Sequence, residues 1–143
     1  LTADFLIFEI AEKDIMQNIQ ETEKVLNQLH QMGVSFAIDH FGVGYTSLNY
    51  LEQLPIDTFK IDSQLIWQLS ATEGSASVVR AIFNLAESLN KSVVAIGVEK
   101  ESQANYLADL NCQAMQGYLF SKPVSQAEIS KMLINTVCLM ANK

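Results

Sequence analysis

Five short apolar runs punctuate this chain, at residues 5–10, 34–39, 57–62, 92–97 and 114–120, and each is followed by a segment with helical periodicity. Runs of this length, rich in Phe, Ile and Val, read as buried strands. Strands that are apolar throughout and always return through a helix belong to a parallel sheet, because a parallel connection needs a long crossover. The first helix is expected from Asp14, as N-cap, to Gly33, with Ile15, Ile19, Leu26 and Leu29 inward. Further helices are expected at 46–54, closed by Pro55, at 75–90 with Val78, Ile82, Leu85 and Leu89 inward, at 101–110, and at 126–140 after Pro123. The stretch around Trp67 reads as irregular. No Gly-x-Gly-x-x-Gly follows the first run and no Walker-type lysine loop occurs, so a doubly wound nucleotide fold is not indicated. Five units also fall short of a closed eight-stranded barrel, which leaves outer strands as exposed edges that preceding chain, a second copy or a partner must cover.

In folds of this type the loops after the strands share one face, so side chains at successive strand ends converge. Here those ends carry Glu9, Asp39, Lys60, the tetrapeptide 96–99 and Gln116. Two carboxylates and a lysine around one point suit a divalent metal and a phosphate ester. The metal neutralises phosphate charge, and lysine adds a fixed positive charge.

Composition narrows the partners. A formal net charge of −7 argues against sequence-independent binding of DNA or RNA, which needs dense Lys and Arg to displace counterions. With 143 residues, 49% of them hydrophobic, the chain has the size of one domain with a substantial core. No apolar run approaches the roughly 20 residues of a membrane span. No secretory signal opens the chain. A soluble domain without direct membrane contact is therefore expected, although a membrane-tethered parent stays open. Cys112 and Cys138 lack metal-ligand spacing and are expected to be reduced, which fits a cytoplasmic setting. The chain opens at Leu1, inside domain-like sequence and without an initiator Met, so a piece of a longer protein is expected.

Five ordered motifs then carry a resemblance. They are Phe8-Glu9-Ile10-Ala11-Glu12, the stretch from Asp39-His40-Phe41-Gly42-Val43-Gly44-Tyr45 to Leu48, Lys60-Ile61-Asp62, Gly97-Val98-Glu99, and Gln116-Gly117-Tyr118-Leu119-Phe120-Ser121-Lys122-Pro123. In order and spacing they resemble the EAL domain family of bacterial cyclic di-GMP phosphodiesterases, over essentially the whole chain. The resemblance implies a partial TIM-like (β/α) barrel, α/β in class, with residues 1–143 as the C-terminal portion of a single EAL domain. It implies hydrolysis of cyclic di-GMP to linear pGpG with Mg2+ or Mn2+. On the matching positions, Glu9 and Asp39 are metal ligands and Lys60 is the catalytic lysine that holds water and phosphate. Gln116 contacts the ligand, Glu12 steadies the glycine loop, Glu99 is supporting, and that loop links the site to dimerisation.

Two departures weaken the implied activity. The family's usual pair of aspartates is Asp39-His40 here, and a neutral imidazole binds Mn2+ or Zn2+ but is a poor Mg2+ ligand. His40 is either a hydrogen-bonded loop residue or a metal ligand. Active members read Ala-Glu-Gly-Val-Glu where this chain has Ala95-Ile96-Gly97-Val98-Glu99, and the Ile96 hydrocarbon can neither bind metal nor act as a base. The family's Glu-Ala-Leu glutamate and a further asparagine ligand belong to the part of the domain before this stretch. Three functions stay open: a cyclic di-GMP receptor with little or no hydrolysis, an active phosphodiesterase completed by preceding chain, and a structural or interaction module that binds no nucleotide and dimerises through the glycine loop region and an uncovered sheet edge.

Overall fold

The computed structural model describes residues 2–15, 18–44, 48–70 and 73–140. Five strands, β1 (Ile7–Ala11), β2 (Ser35–Phe41), β3 (Thr58–Ile61), β4 (Ser92–Ile96) and β5 (Ala114–Gln116), pair in parallel in the order of the chain. Parallel neighbours taken strictly in order are what repeated right-handed crossovers produce along the arc of a barrel. A doubly wound sheet would reverse its order at a switch point. The fold is thus a partial TIM-like (β/α) barrel of five units.

The helices are α1 (Glu12–Ile15), α2 (Ile19–Gln31), α3 (Leu48–Gln53), α4 (Ser63–Trp67), α5 (Glu73–Ser88), α6 (Glu101–Asp109) and α7 (Gln126–Met140). Alternation along the strands sends Phe36, Ile38, Phe59, Ile61, Val93 and Ala95 into one buried cluster with Leu26, Val79, Ile82, Ala86 and Leu107 from the helices. Each large apolar side chain buried this way contributes roughly 1.5–3 kcal/mol. The opposite face, by the same alternation, carries Glu9, Ala37, Asp39, Lys60, Val94, Ile96 and Gln116. That face is the inside of the arc.

Several local expectations need correction. The helix expected from Asp14 divides into α1 and α2, with Asp14 inside α1 and Asn18 before α2. Within α1, Ile15 enters the core while Glu12 turns towards the loop after β2. The stretch around Trp67 is helical, because the Asp62 side chain accepts the Gln64 amide and caps α4. On α5 the inward stripe is Val79, Ile82 and Ala86, whereas Val78 is 44% exposed. β5 stops at Gln116, where the chain folds back so that the Leu119 amide donates to the Val98 carbonyl at 3.0 Å. Residues 45–47 of the expected glycine loop and helix start lie outside the described residues.

Candidate metal and phosphate site

The site begins with a break in register. Ile38 pairs with Phe59 but Phe41 pairs with Ile61, so β2 holds one residue more than β3 across the interval. Its His40 has φ of 57°. This is a bulge: an extra residue in the left-handed region that restores the alternation beyond it. Without it, His40 would point into the core and Phe41 into the site. With it, Phe41 is buried and stacks on Phe59 at a ring separation of 4.4 Å, while Asp39 stays on the inner face. A non-glycine residue in this conformation costs about 1–2 kcal/mol, which the buried aromatic pair offsets.

Three expected residues meet on that face. Lys60 Nζ lies 2.5 Å from Glu9 Oε1 and 3.9 Å from Asp39 Oδ1. The lysine side chain is only 12% exposed, so its ammonium is held between two carboxylates in a partly desolvated place. Asp39 Oδ1 is itself buried and accepts no hydrogen bond. A buried carboxylate oxygen without a donor is costly unless a cation balances it. Glu9 and Asp39 on adjacent strand ends therefore fit a hard divalent cation, with Lys60 supplying the balancing charge in its place. Among the described residues no group of three or more His, Cys, Asp or Glu side chains is arranged to hold a metal. A cation here would complete its coordination with groups beyond Glu9 and Asp39, such as water, phosphate oxygens or ligands from preceding chain.

Glu12 is buried, and its Oε2 accepts the Gly42 amide at 3.4 Å. A β-carbon on Gly44 would lie 2.6 Å from the Glu12 carboxyl carbon, so the loop passes directly over this carboxylate. Ile96 and Gln116 are register partners on the inner face, but neither joins the Glu9, Asp39 and Lys60 cluster through a hydrogen bond or ion pair. The Gln116 carbonyl instead accepts the Gly97 and Val98 amides at 2.8 and 3.0 Å. Glu99 is exposed on the loop after β4. A groove of about 400 Å³ bordered by Asn84, Glu87, Asn90, Lys91 and Asp109 lies at the opposite, N-terminal end of β4, away from these carboxylates.

Two contributors escaped sequence reasoning. Asp62 Oδ2 lies 2.6 Å from His40 Nδ1, and its side chain is 6% exposed. Gln103 is buried, accepts the Glu99 and Lys100 amides at 2.9 Å through Oε1, and donates to the Ile66 carbonyl at 3.0 Å. It thereby fixes the loop that carries Glu99. An acid directly before a helix is a legible capping signal, and Asp62 could have been found by it. Gln103 carries no comparable signal, because its partners lie on two separate segments.

The pairing with Asp62, and next the charge of Asp39, raise the His40 pKa above its ordinary 6.5. A folded-state pKa above the unfolded one means that the imidazolium stabilises the fold fully below pH 6.5 and ceases to do so as pH rises through the folded value. In metal-free buffer, the Tm advantage of the native protein over His40→Asn is expected to be largest at acidic pH and to shrink across that window. An advantage that grew with pH would contradict this pairing.

Comparison with known proteins places the geometry in context. The sequence model of the EAL domain matches residues 1–123. Cyclic di-GMP phosphodiesterase NbdA of Pseudomonas aeruginosa is 41% identical over 133 residues, covering 93% of this chain and 17% of that protein. The solved PaMucR phosphodiesterase in complex with c-di-GMP superposes with a TM-score of 0.87 at 39% identity, over 90% of this chain and 52% of that one. A manganese and cyclic di-GMP complex of BlrP1 from Klebsiella pneumoniae gives a TM-score of 0.80 at 31% identity, over 86% of this chain and 31% of that one. The chain spans about a fifth of the length of the curated relatives it matches.

Proposed function

We propose, from the premise that this chain belongs to the EAL domain family, that it serves bacterial cyclic di-GMP signalling by binding the dinucleotide with little or no hydrolysis. The observation that carries the reading is Ile96. It stands on the inner face beside Gln116, in register with the strands that present Lys60 and Asp39, at the position where the family motif has a glutamate. A hydrocarbon there can neither ligate a cation nor take a proton from water.

In this reading residues 1–143 are the C-terminal portion of a single EAL domain, and preceding chain brings the Glu-Ala-Leu glutamate and the asparagine ligand. Glu9 and Asp39 hold Mg2+ or Mn2+, which when bound polarises the phosphoryl oxygen and acidifies water. Lys60 places its charge against the phosphate, Gln116 contacts the nucleotide, Glu12 holds the glycine loop, and Glu99 supports the end of β4. The exposed Ile7 and Phe8 of edge strand β1, with Ile129, Leu133 and Ile134 on α7, support association with preceding chain or a second copy. A homodimer in the cytoplasm, where the nucleotide is made, belongs to the same reading. Among the described residues no helix is long and apolar enough to cross a membrane.

The convergence of Glu9, Asp39 and Lys60 favours the alternative, an active phosphodiesterase. Calorimetric titration of the intact protein with cyclic di-GMP, once with Mn2+ and once with Ca2+, followed by chromatography of the nucleotide, separates the two. Binding with intact nucleotide is expected. Formation of pGpG that disappears in Lys60→Ala would restore the enzyme, and absence of binding would leave an interaction module.

A further inference from the structure

We infer that the half-exposed indole of Trp67 is a platform on which one purine base of the dinucleotide stacks. This deepens the reading above and rests on it, since the ligand is the one proposed for the Glu9, Asp39 and Lys60 site.

Trp67 is the single tryptophan of the chain, and it is 50% exposed. A ring of this size left open to water beside a site is a surface suited to a partner. Its place follows from α4. That helix starts at Ser63, directly after β3, so its first turn lies at the strand-end face. Trp67 stands one turn on from Ser63 and on the same side of the helix, and helical side chains lean back towards the N-terminus. The indole therefore returns to the strand-end face. It meets the turn after β4 there, because a β-carbon on Gly97 would lie 3.1 Å from Trp67 Nε1 and 2.6 Å from Ser63 Cβ. Gly97 has φ of 81° and directly follows Ile96, which ends β4 on the inner face. Glycine at this position lets the ring edge settle against the rim of the site and leaves ring surface for a ligand.

The platform is held before any ligand arrives. Asp62 caps α4, and the buried Ile66 gives its carbonyl to Gln103 at 3.0 Å. Gln103 also accepts the Glu99 and Lys100 amides, which ties α4 to the rim turn. A ring fixed in this way loses little freedom on binding. The reach agrees as well. Lys60 pairs with Val94, and Gly97 lies three residues further along the chain, about 10 Å when extended. A nucleotide spans such a separation between its phosphate and its base. With a phosphate against Lys60, a base reaches Trp67. Stacking also suits a chain of net charge −7, since it uses the π face of the base and needs no added cation. Every base has such a face, so the ring contributes affinity rather than base choice.

The test uses the intact protein with Ca2+ to suppress turnover, titrated with cyclic di-GMP by calorimetry and by tryptophan emission. Trp67→Ala is expected to lose about 10–100-fold in affinity, the scale of one base–aromatic stack. Trp67→Phe keeps an aromatic face and is expected to retain most of the affinity. Native emission is expected to be quenched on binding, and that quenching is expected to vanish in Trp67→Phe although the nucleotide still binds. A merely structural role for the indole would not produce this split. Unchanged affinity in Trp67→Ala, with binding lost in Lys60→Ala, would overturn this inference and leave the proposed function standing. Equal losses in Trp67→Ala and Trp67→Phe would also overturn it, since a stack tolerates phenylalanine. No binding of cyclic di-GMP by the native protein would remove the proposed function and this inference with it.

Discussion

Ile96→Glu is expected to raise conversion of cyclic di-GMP to pGpG by at least about 100-fold in Mn2+, the scale on which a positioned acid or base acts. The side chain at this position points to the inner face of the arc, directly paired with Gln116 and on the face that carries Lys60 and Asp39. A carboxylate introduced there faces the same space as the two already present. Adding His40→Asp extends the gain to Mg2+, because it replaces a nitrogen donor by oxygen. The measurement is single-turnover chromatography of the nucleotide with each ion. No gain in either variant, with binding intact, would mean that the residue at 96 does not limit turnover. Lys60→Ala in the Ile96→Glu background should remove the gain, since the rate then depends on the charge beside the phosphate.

Gly117→Ala is expected to lower Tm by on the order of 10 °C, through an overpacking cost of about 3 kcal/mol. A β-carbon at Gly117 would lie 2.0 Å from the Val98 carbonyl oxygen, 2.4 Å from its nitrogen and 2.6 Å from its carbonyl carbon. All three are backbone atoms, so no rotamer change relieves the overlap and β4 must separate from β5. The hydrogen bonds from Gly97 and Val98 to the Gln116 carbonyl would stretch with it. Because Ile96 and Gln116 are partners across that pair, nucleotide binding should weaken along with stability. Gly74→Ala on α5 is the control: nothing lies within 4 Å of its added carbon, and alanine favours a helix by up to about 1 kcal/mol. A thermal melt in which both alanines behave alike would refute the close-approach argument.

The strands and most helices were legible because their signals are local. The closing helix 126–140 runs as expected, and the runs around Ile38, Phe59 and Val93 are strands. The convergence of Glu9, Asp39 and Lys60 could be anticipated because each lies at or beyond the middle of its strand, and the C-terminal ends of the strands of a parallel barrel share a face. Errors fell where two segments interact. The α1 and α2 pattern reads as one helix in sequence, since Ile15 and Ile19 keep helical spacing across the division. Val78 and Val79 are equivalent to a local pattern, and packing against the sheet selects Val79.

The chain's order of apolar runs and helices fixes a parallel arc, and its strand-end residues fix which chemistry that arc can display. These follow from periodicity and from the direction of crossovers, both of which are written in short stretches of sequence. Tertiary structure alone decided the inner arrangement of the site. The extra residue at His40 exists only relative to β3, so no reading of β2 by itself reveals that Phe41 turns inward to Phe59 and His40 outward to Asp62. The contact between His40 and Asp62 joins residues 22 apart, and the Gln103 bond to Ile66 joins residues 37 apart. Register, close approach and side-chain hydrogen bonds of this kind depend on how separate elements meet, which is a property of the packed fold.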